Sequence, residues 1–164
     1  MIPTEARSRI AVFIDFDNVE IGAKSTIGGQ FDIGLVLEAT KWQYTNGVSD
    51  TSLVSPDAWT HDQALLDRPG NQEVQLDLFY DYRTTVPLYP RWQAFLRERQ
   101  PRTIIFWGQT DIFFTPAGGE AYLKDLPNAE MHRLDAGHFA VEDHLDYISK
   151  NMQRFYDEKV KNRK

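Results

Sequence analysis

At 164 residues the chain has the size of one domain, and 41% hydrophobic content with 13% aromatics is enough to build a core, so intrinsic disorder is not its expected state. The formal net charge is −6, and the basic residues are scattered apart from Lys159, Lys161, Arg163 and Lys164, so nucleic acid, whose binding needs concentrated positive charge, is not an expected partner. The absence of cysteine excludes disulfides and thiolate chemistry; with no apolar run of membrane-spanning length and no apolar core in MIPTEARSR, a soluble, cytoplasmic protein with no membrane partner is expected.

The first element in chain order is IAVFID, Ile10 to Asp15. It is a short apolar and β-branched run ending in an acid, the pattern of a buried parallel strand, with Asp15, Asp17 and Asn18 at its carboxyl end. Ile21 to Gln30 contains Gly22, Gly28 and Gly29 and reads as a loop. Asp32 then caps a helix through about Ala39, with Ile33, Val36 and Leu37 on one face. From Lys41 to Ser55 the chain is polar and turn-rich, with Asn46-Gly47 as the strongest turn signal and no periodic pattern. Ser55-Pro56-Asp57 combines a capping hydroxyl, a proline at the first helical position and an acid in the first turn, so a helix is expected to about Asp67, before Arg68-Pro69-Gly70. Asn71 to about Thr85 carries Val74, Leu78 and Tyr82 at four-residue spacing and predicts a second helix with one apolar stripe. Pro87 to Arg99 predicts a third, closed by Pro101.

Thr103 to Asp111, TIIFWGQTD, is an apolar strand that breaks at Gly108 and ends in an acid. Thr115-Pro116 opens a helix that ends near Leu126-Pro127, and Glu130 to Leu134 is a short strand. After DAGHF, the residues Val141, Leu145, Ile148, Met152 and Phe155 recur at steps of three and four, the signature of an amphipathic helix on the sheet. The expected architecture is therefore α/β and three-layer, with a small parallel sheet of about three strands and a helical, cap-like insertion between strands 1 and 2. Chemistry in such sheets collects at the carboxyl edge, so a helical crossover would bring Asp111 and His138 to one rim. An acid orienting a histidine supplies two parts of a catalytic triad. If the Ile10 strand docks parallel beside the Thr103 strand, Asp15 joins them there.

FWGQTDIFFTP and DAGHFAVED carry a resemblance. Over residues 41–160 the chain resembles the C-terminal part of α/β-hydrolases of the haloalkane dehalogenase and epoxide hydrolase-like group. The resemblance implies Asp111 as the triad acid, His138 as the general base, and the helices between Pro56 and Arg99 as the end of a cap with the helix returning to the core. It also implies hydrolysis of an ester, epoxide or carbon-halogen bond in a pocket for a small apolar substrate. The strand with the G-x-S-x-G or G-x-D-x-G nucleophile elbow is missing from the sequence, and none of His61, His132, His138 and His144 is followed by the glycine of an oxyanion motif. A base without a nucleophile performs no acyl transfer, so an inactive, hydrolase-like chain is expected.

AVFIDFDNVEIGAKST with FDIGLVLEA, over residues 9–39, is similar instead to the opening of NYN-domain proteins, PIN-like metal-dependent ribonucleases. That likeness implies a magnesium or manganese site at Asp15 and Asp17, and no other cofactor is expected. Asp15-x-Asp17-x-Val19 also matches the short haloacid-dehalogenase phosphatase motif. The two resemblances together describe a chimera with a seam between about Glu38 and Trp42: an NYN-like β-α unit at residues 1–40 and a hydrolase segment at 41–164. Alternatives to the hydrolase reading are a metal-dependent ribonuclease remnant and a noncatalytic interaction module that self-associates through an incomplete sheet edge.

Overall fold

The structure is a computed structural model that describes residues 11–13 and 33–161. Its spine is the strand Arg102–Gly108, numbered β2. β1 (Ala11–Phe13) pairs with it in parallel on one side and β3 (Glu130–Leu134) on the other, in the order β1-β2-β3. The first strand thus docks in parallel beside the Thr103 strand, the condition stated for Asp15 to join the rim, while Asp15 itself lies outside the described residues.

Strand side chains alternate between faces, and the alternation of β2 sets the layers. Ile104 and Phe106 point to α6 (Ala140–Phe155) and the π-helical turn Tyr156–Lys161, where they meet Phe155, Val160, Ile148 and Met152. Trp107, of opposite parity, lies against Gly119 and Tyr122 of α5 (Pro116–Asp125). Helices therefore cover both faces, which is the three-layer arrangement. Ile104 and Ile105 are almost completely buried, and side chains of that size removed from water stabilise by about 1.5–3 kcal/mol each.

Between β1 and β2 lie α1 (Ile33–Thr45), α2 (Pro56–Leu66), α3 (Asn71–Tyr82) and α4 (Tyr89–Arg99), with 3-10 turns at Thr51–Leu53 and Val86–Leu88. Three local expectations are corrected. The first helix does not end near Ala39 but runs on to Thr45, through the stretch expected to be irregular. Its inner positions there are Thr40 and Tyr44, one turn apart and both buried. They are held by polar contacts to α2: the Thr40 hydroxyl donates to Gln63 Oε1 at 2.6 Å, and the Tyr44 hydroxyl to Asp62. A face built from hydrogen bonds leaves no hydrophobic period to detect. Asn46-Gly47 is consequently the end of a helix: Asn46 N–H donates to Trp42 O at 2.8 Å and Gly47 takes φ +80°, a left-handed conformation that glycine reaches without strain.

The second correction concerns α3, which stops at Tyr82 rather than Thr85 and whose stripe is not buried in a core. Val74, Leu78 and Tyr82 are exposed, although Leu78 and Tyr82 do line a cavity. Asn71 Nδ2 ties the start of α3 to Leu65 O at 3.1 Å. The third concerns capping. Ser55 accepts from Asp57 N–H at 3.3 Å as expected, whereas Thr115 makes no side-chain cap to α5. The third expected helix, from Pro87, resolves into a 3-10 turn followed by α4, which closes with Gln100 at φ 43° just before Pro101. The Gln100 amide then donates to Asp125 O at 2.7 Å, and Arg97 pairs with the Asp125 carboxylate at 2.5 Å, fixing α4 to the end of α5. Among the described residues no helix is long and apolar enough to cross a membrane.

Gly108 ends β2 where the chain packs backbone to backbone: a Cβ there would collide with the carbonyls of Ala136 and Gly137. Gly108→Ala is expected to cost about 1–3 kcal/mol, the usual range for forced overpacking. Urea unfolding followed by circular dichroism measures it, and an unchanged midpoint would refute the close approach.

Candidate active site

Beyond Gly108 the loop after β2 stays laced to the loop after β3. Gln109 N–H donates to Leu134 O at 2.8 Å and Thr110 N–H to Ala136 O at 3.2 Å. The Thr110 hydroxyl lies 2.5 Å from Gly47 O and 2.8 Å from Ala136 O, so its proton is shared between two carbonyls. Three loops, after α1, β2 and β3, are joined at this one side chain. Both residues singled out from the sequence project from the two strand-end loops.

Asp111 and His138 meet there, with His138 Nδ1 3.1 Å from Asp111 Oδ2. The other carboxylate oxygen, Oδ1, accepts from Phe113 N–H at 2.8 Å and Phe114 N–H at 3.0 Å. The side chains of His138 and Asp111 are 8% and 6% exposed. Burial pushes the Asp111 carboxyl up, but the hydrogen bond from His138, those from Phe114 and Phe113, and the charge of His138 together outweigh it, and the net pKa lies below the ordinary 3.8. An ionised Asp111 accepts only, so Nδ1 donates to it, and in the neutral imidazole this leaves Nε2 with its lone pair. Nε2 makes no hydrogen bond among the described residues.

Aromatic rings enclose the imidazole. Phe113, Phe114 and Phe139 have ring centroids 5.0, 5.1 and 4.8 Å from it. The indole N–H of Trp107 donates to Phe114 O at 2.9 Å, pinning the loop that carries two of these rings. Phe139 stacks on Tyr44 at 4.0 Å with 14° between planes. His138 opens onto a cavity of about 710 Å³, walled by α1, α2 and α3 and by Phe113 and Phe139. The cap-like insertion therefore roofs the histidine, and the arrangement can hold an imidazole oriented for proton transfer beside an apolar chamber.

The sequence had brought out Asp111 and His138 but not the residues that hold them. Tyr44 was hidden in a stretch expected to be irregular. The donors at Phe113 and Phe114 follow from a spacing that was open to inspection, since an aspartate bonding N–H groups two and three positions on is a common turn. Of the other histidines, His61 is exposed, and His144 interrupts α6 with non-helical angles of φ −121° and ψ 22°. His132 lies on β3, stacked on Phe106 and bonded to Glu130 at 2.6 Å and Tyr147 at 2.8 Å. Asp15 and Asp17 lie outside the described residues. Among the described residues no group of three or more His, Asp or Glu side chains is placed to hold a metal ion.

No family model matches the chain. Over 116 residues it is 40% identical to an uncharacterized hydrolase of Saccharomyces cerevisiae, YNR064C, a match that takes in 71% of this chain and 40% of that protein. The chain thus spans well under half of the length of this relative. Among solved structures it is similar to Est816, described as an N-acyl homoserine lactone degrading enzyme, with a TM-score of 0.51 and 19% identity over 78% of this chain and 52% of that one. The chain is thus similar in sequence to part of that hydrolase, and its α/β fold is similar to part of the Est816 structure.

Because the folded Asp111 pKa is depressed, the stability this carboxylate contributes is present above the ordinary 3.8 and is lost as pH falls through the lower folded value. His138→Gln should move the Asp111 pKa upward, read directly by carbon NMR of the carboxyl group. Asp111→Ala, which removes the acceptor of two part-buried N–H groups, should cost about 1–3 kcal/mol in chemical denaturation.

Proposed function

We propose that this chain carries the acid and base of an α/β-hydrolase-type site, with Asp111 orienting and electrostatically supporting His138 as the general base. The observation that carries the reading is the 3.1 Å contact from Nδ1 to Asp111, made at the carboxyl edge of the sheet with Nε2 left to serve the cavity. In that role Nε2 takes a proton from a hydroxyl or a water as it attacks, Asp111 stays ionised and supports the imidazolium, and the proton is then given to the leaving group. The chemistry is hydrolysis of an ester, an epoxide or a carbon-halogen bond, as in the hydrolases that the sequence resembles.

The same reading makes the chain on its own catalytically incomplete. Its sequence contains neither G-x-S-x-G nor G-x-D-x-G, so it offers no strained elbow to present a nucleophile. The remaining nucleophile candidate is Asp15. The test is turnover of p-nitrophenyl acetate, styrene oxide and 1-bromobutane by the purified chain and by His138→Ala. Equal rates are expected. A rate that disappears in both His138→Ala and Asp15→Asn would overturn the incomplete-site reading and assign Asp15 as the nucleophile.

For residues 9–39 we propose, on their sequence alone, an NYN-like metal site at Asp15 and Asp17 and a chimeric origin of the chain. Magnesium or manganese should then raise the melting temperature, and Asp15→Asn should abolish the rise.

A further inference from the structure

We propose that the cavity beside His138 takes a small molecule with an apolar body and a cationic ammonium group, with the cation seated toward Asp62; this rests on His138 being the base of the site. Among the described residues the cavity wall carries two carboxylates, Asp62 and Asp81, and neither lysine nor arginine. An anionic ligand would have to shed water without gaining a fixed cationic partner, while a cation would gain two carboxylates.

The aromatic lining sets where the charge sits. From His138 the wall runs to Phe139 at 4.8 Å, from Phe139 to the face of Tyr44 at 4.0 Å, and from the Tyr44 hydroxyl to the Asp62 carboxylate by a hydrogen bond. Asp62 thus stands two stacked rings away from the imidazole, at the far end of one continuous aromatic wall. The Tyr44 hydroxyl holds the Asp62 carboxylate at the end of this wall, and that carboxylate, rather than a ring face already stacked on its neighbour, is where a cation would be held. A ligand whose cation sits there would present its uncharged end to Nε2. The Asp62 side chain is 44% exposed and has His61 Nδ1 at 3.8 Å, so solvent screens the charge and the preference is a moderate one.

The test compares three probes of similar size, benzylammonium, benzyl alcohol and benzoate, binding to the full chain at about pH 8, above the ordinary histidine range. Binding is followed by the NMR shifts of the His138 imidazole. The ammonium is expected to bind about tenfold more tightly than benzoate, with the alcohol between them. The margin should narrow in Asp62→Asn and in about 0.5 M salt. If Asp62→Asn does not fold, Asp81→Asn carries the same comparison. Benzoate binding as tightly as the ammonium would overturn the proposal, as would a margin unchanged in a folded variant. If no probe moved the His138 signals, the cavity would be discarded as a ligand site, while the acid-base reading would still stand or fall by the hydrolysis assays.

Discussion

Where β2 ends, the backbone of Gly108 lies against the carbonyls of Ala136 and Gly137 with no room for a side chain between them. That approach brings the loop bearing Asp111 alongside the loop bearing His138, and the shared proton of Thr110 then fastens both to the turn after α1. The sheet alone fixes only where its strands end. The pairing of acid and imidazole depends on the two loops being held in one relation, and backbone contact does this more rigidly than long side chains would, because no rotamer freedom is left to lose. The site is stiff for a second reason: each oxygen of Asp111 is already committed, one to two amide donors and one to the ring.

The small parallel sheet and the meeting of Asp111 with His138 at one rim were readable from the sequence. TIIFWG has the apolar continuity of a strand covered on both faces, and Asp111 and His138 stand just past strand ends, where the geometry of parallel sheets concentrates reactive groups. What escaped sequence reading was the polar half of the architecture. α1 overran its expected end because Thr40 and Tyr44 face inward through hydroxyl groups. α3 kept its periodic stripe but carries it largely in solvent, since periodicity reports that a helix has an apolar side and not that a neighbour covers it. The ring that packs behind Phe139 was out of reach for a related reason: Tyr44 reaches Phe139 from a helix far away in sequence, and single-chain patterns hold no record of such a pairing.

The insertion differs in character from the core beneath it. Around β2 the contacts are apolar and dense, with Ile104, Ile105 and Leu126 almost without exposure. On α3 and α4, Leu76, Tyr80, Trp92 and Phe95 remain substantially exposed. Of these helices, α3 also walls the cavity beside His138.

The seam between α1 and α2 has a consequence for how these helices can move. Across this seam Thr40 meets Gln63 and Tyr44 meets Asp62, while Gln63 donates along α2 to Asp67 at 2.7 Å. A shift of α1 by one helical turn would part both cross-seam donors from their acceptors at once, among them the buried pair Thr40 and Gln63. The two helices therefore behave as a toothed joint, able to hinge about the seam but not to creep along it, and the chamber above His138 keeps its wall in register.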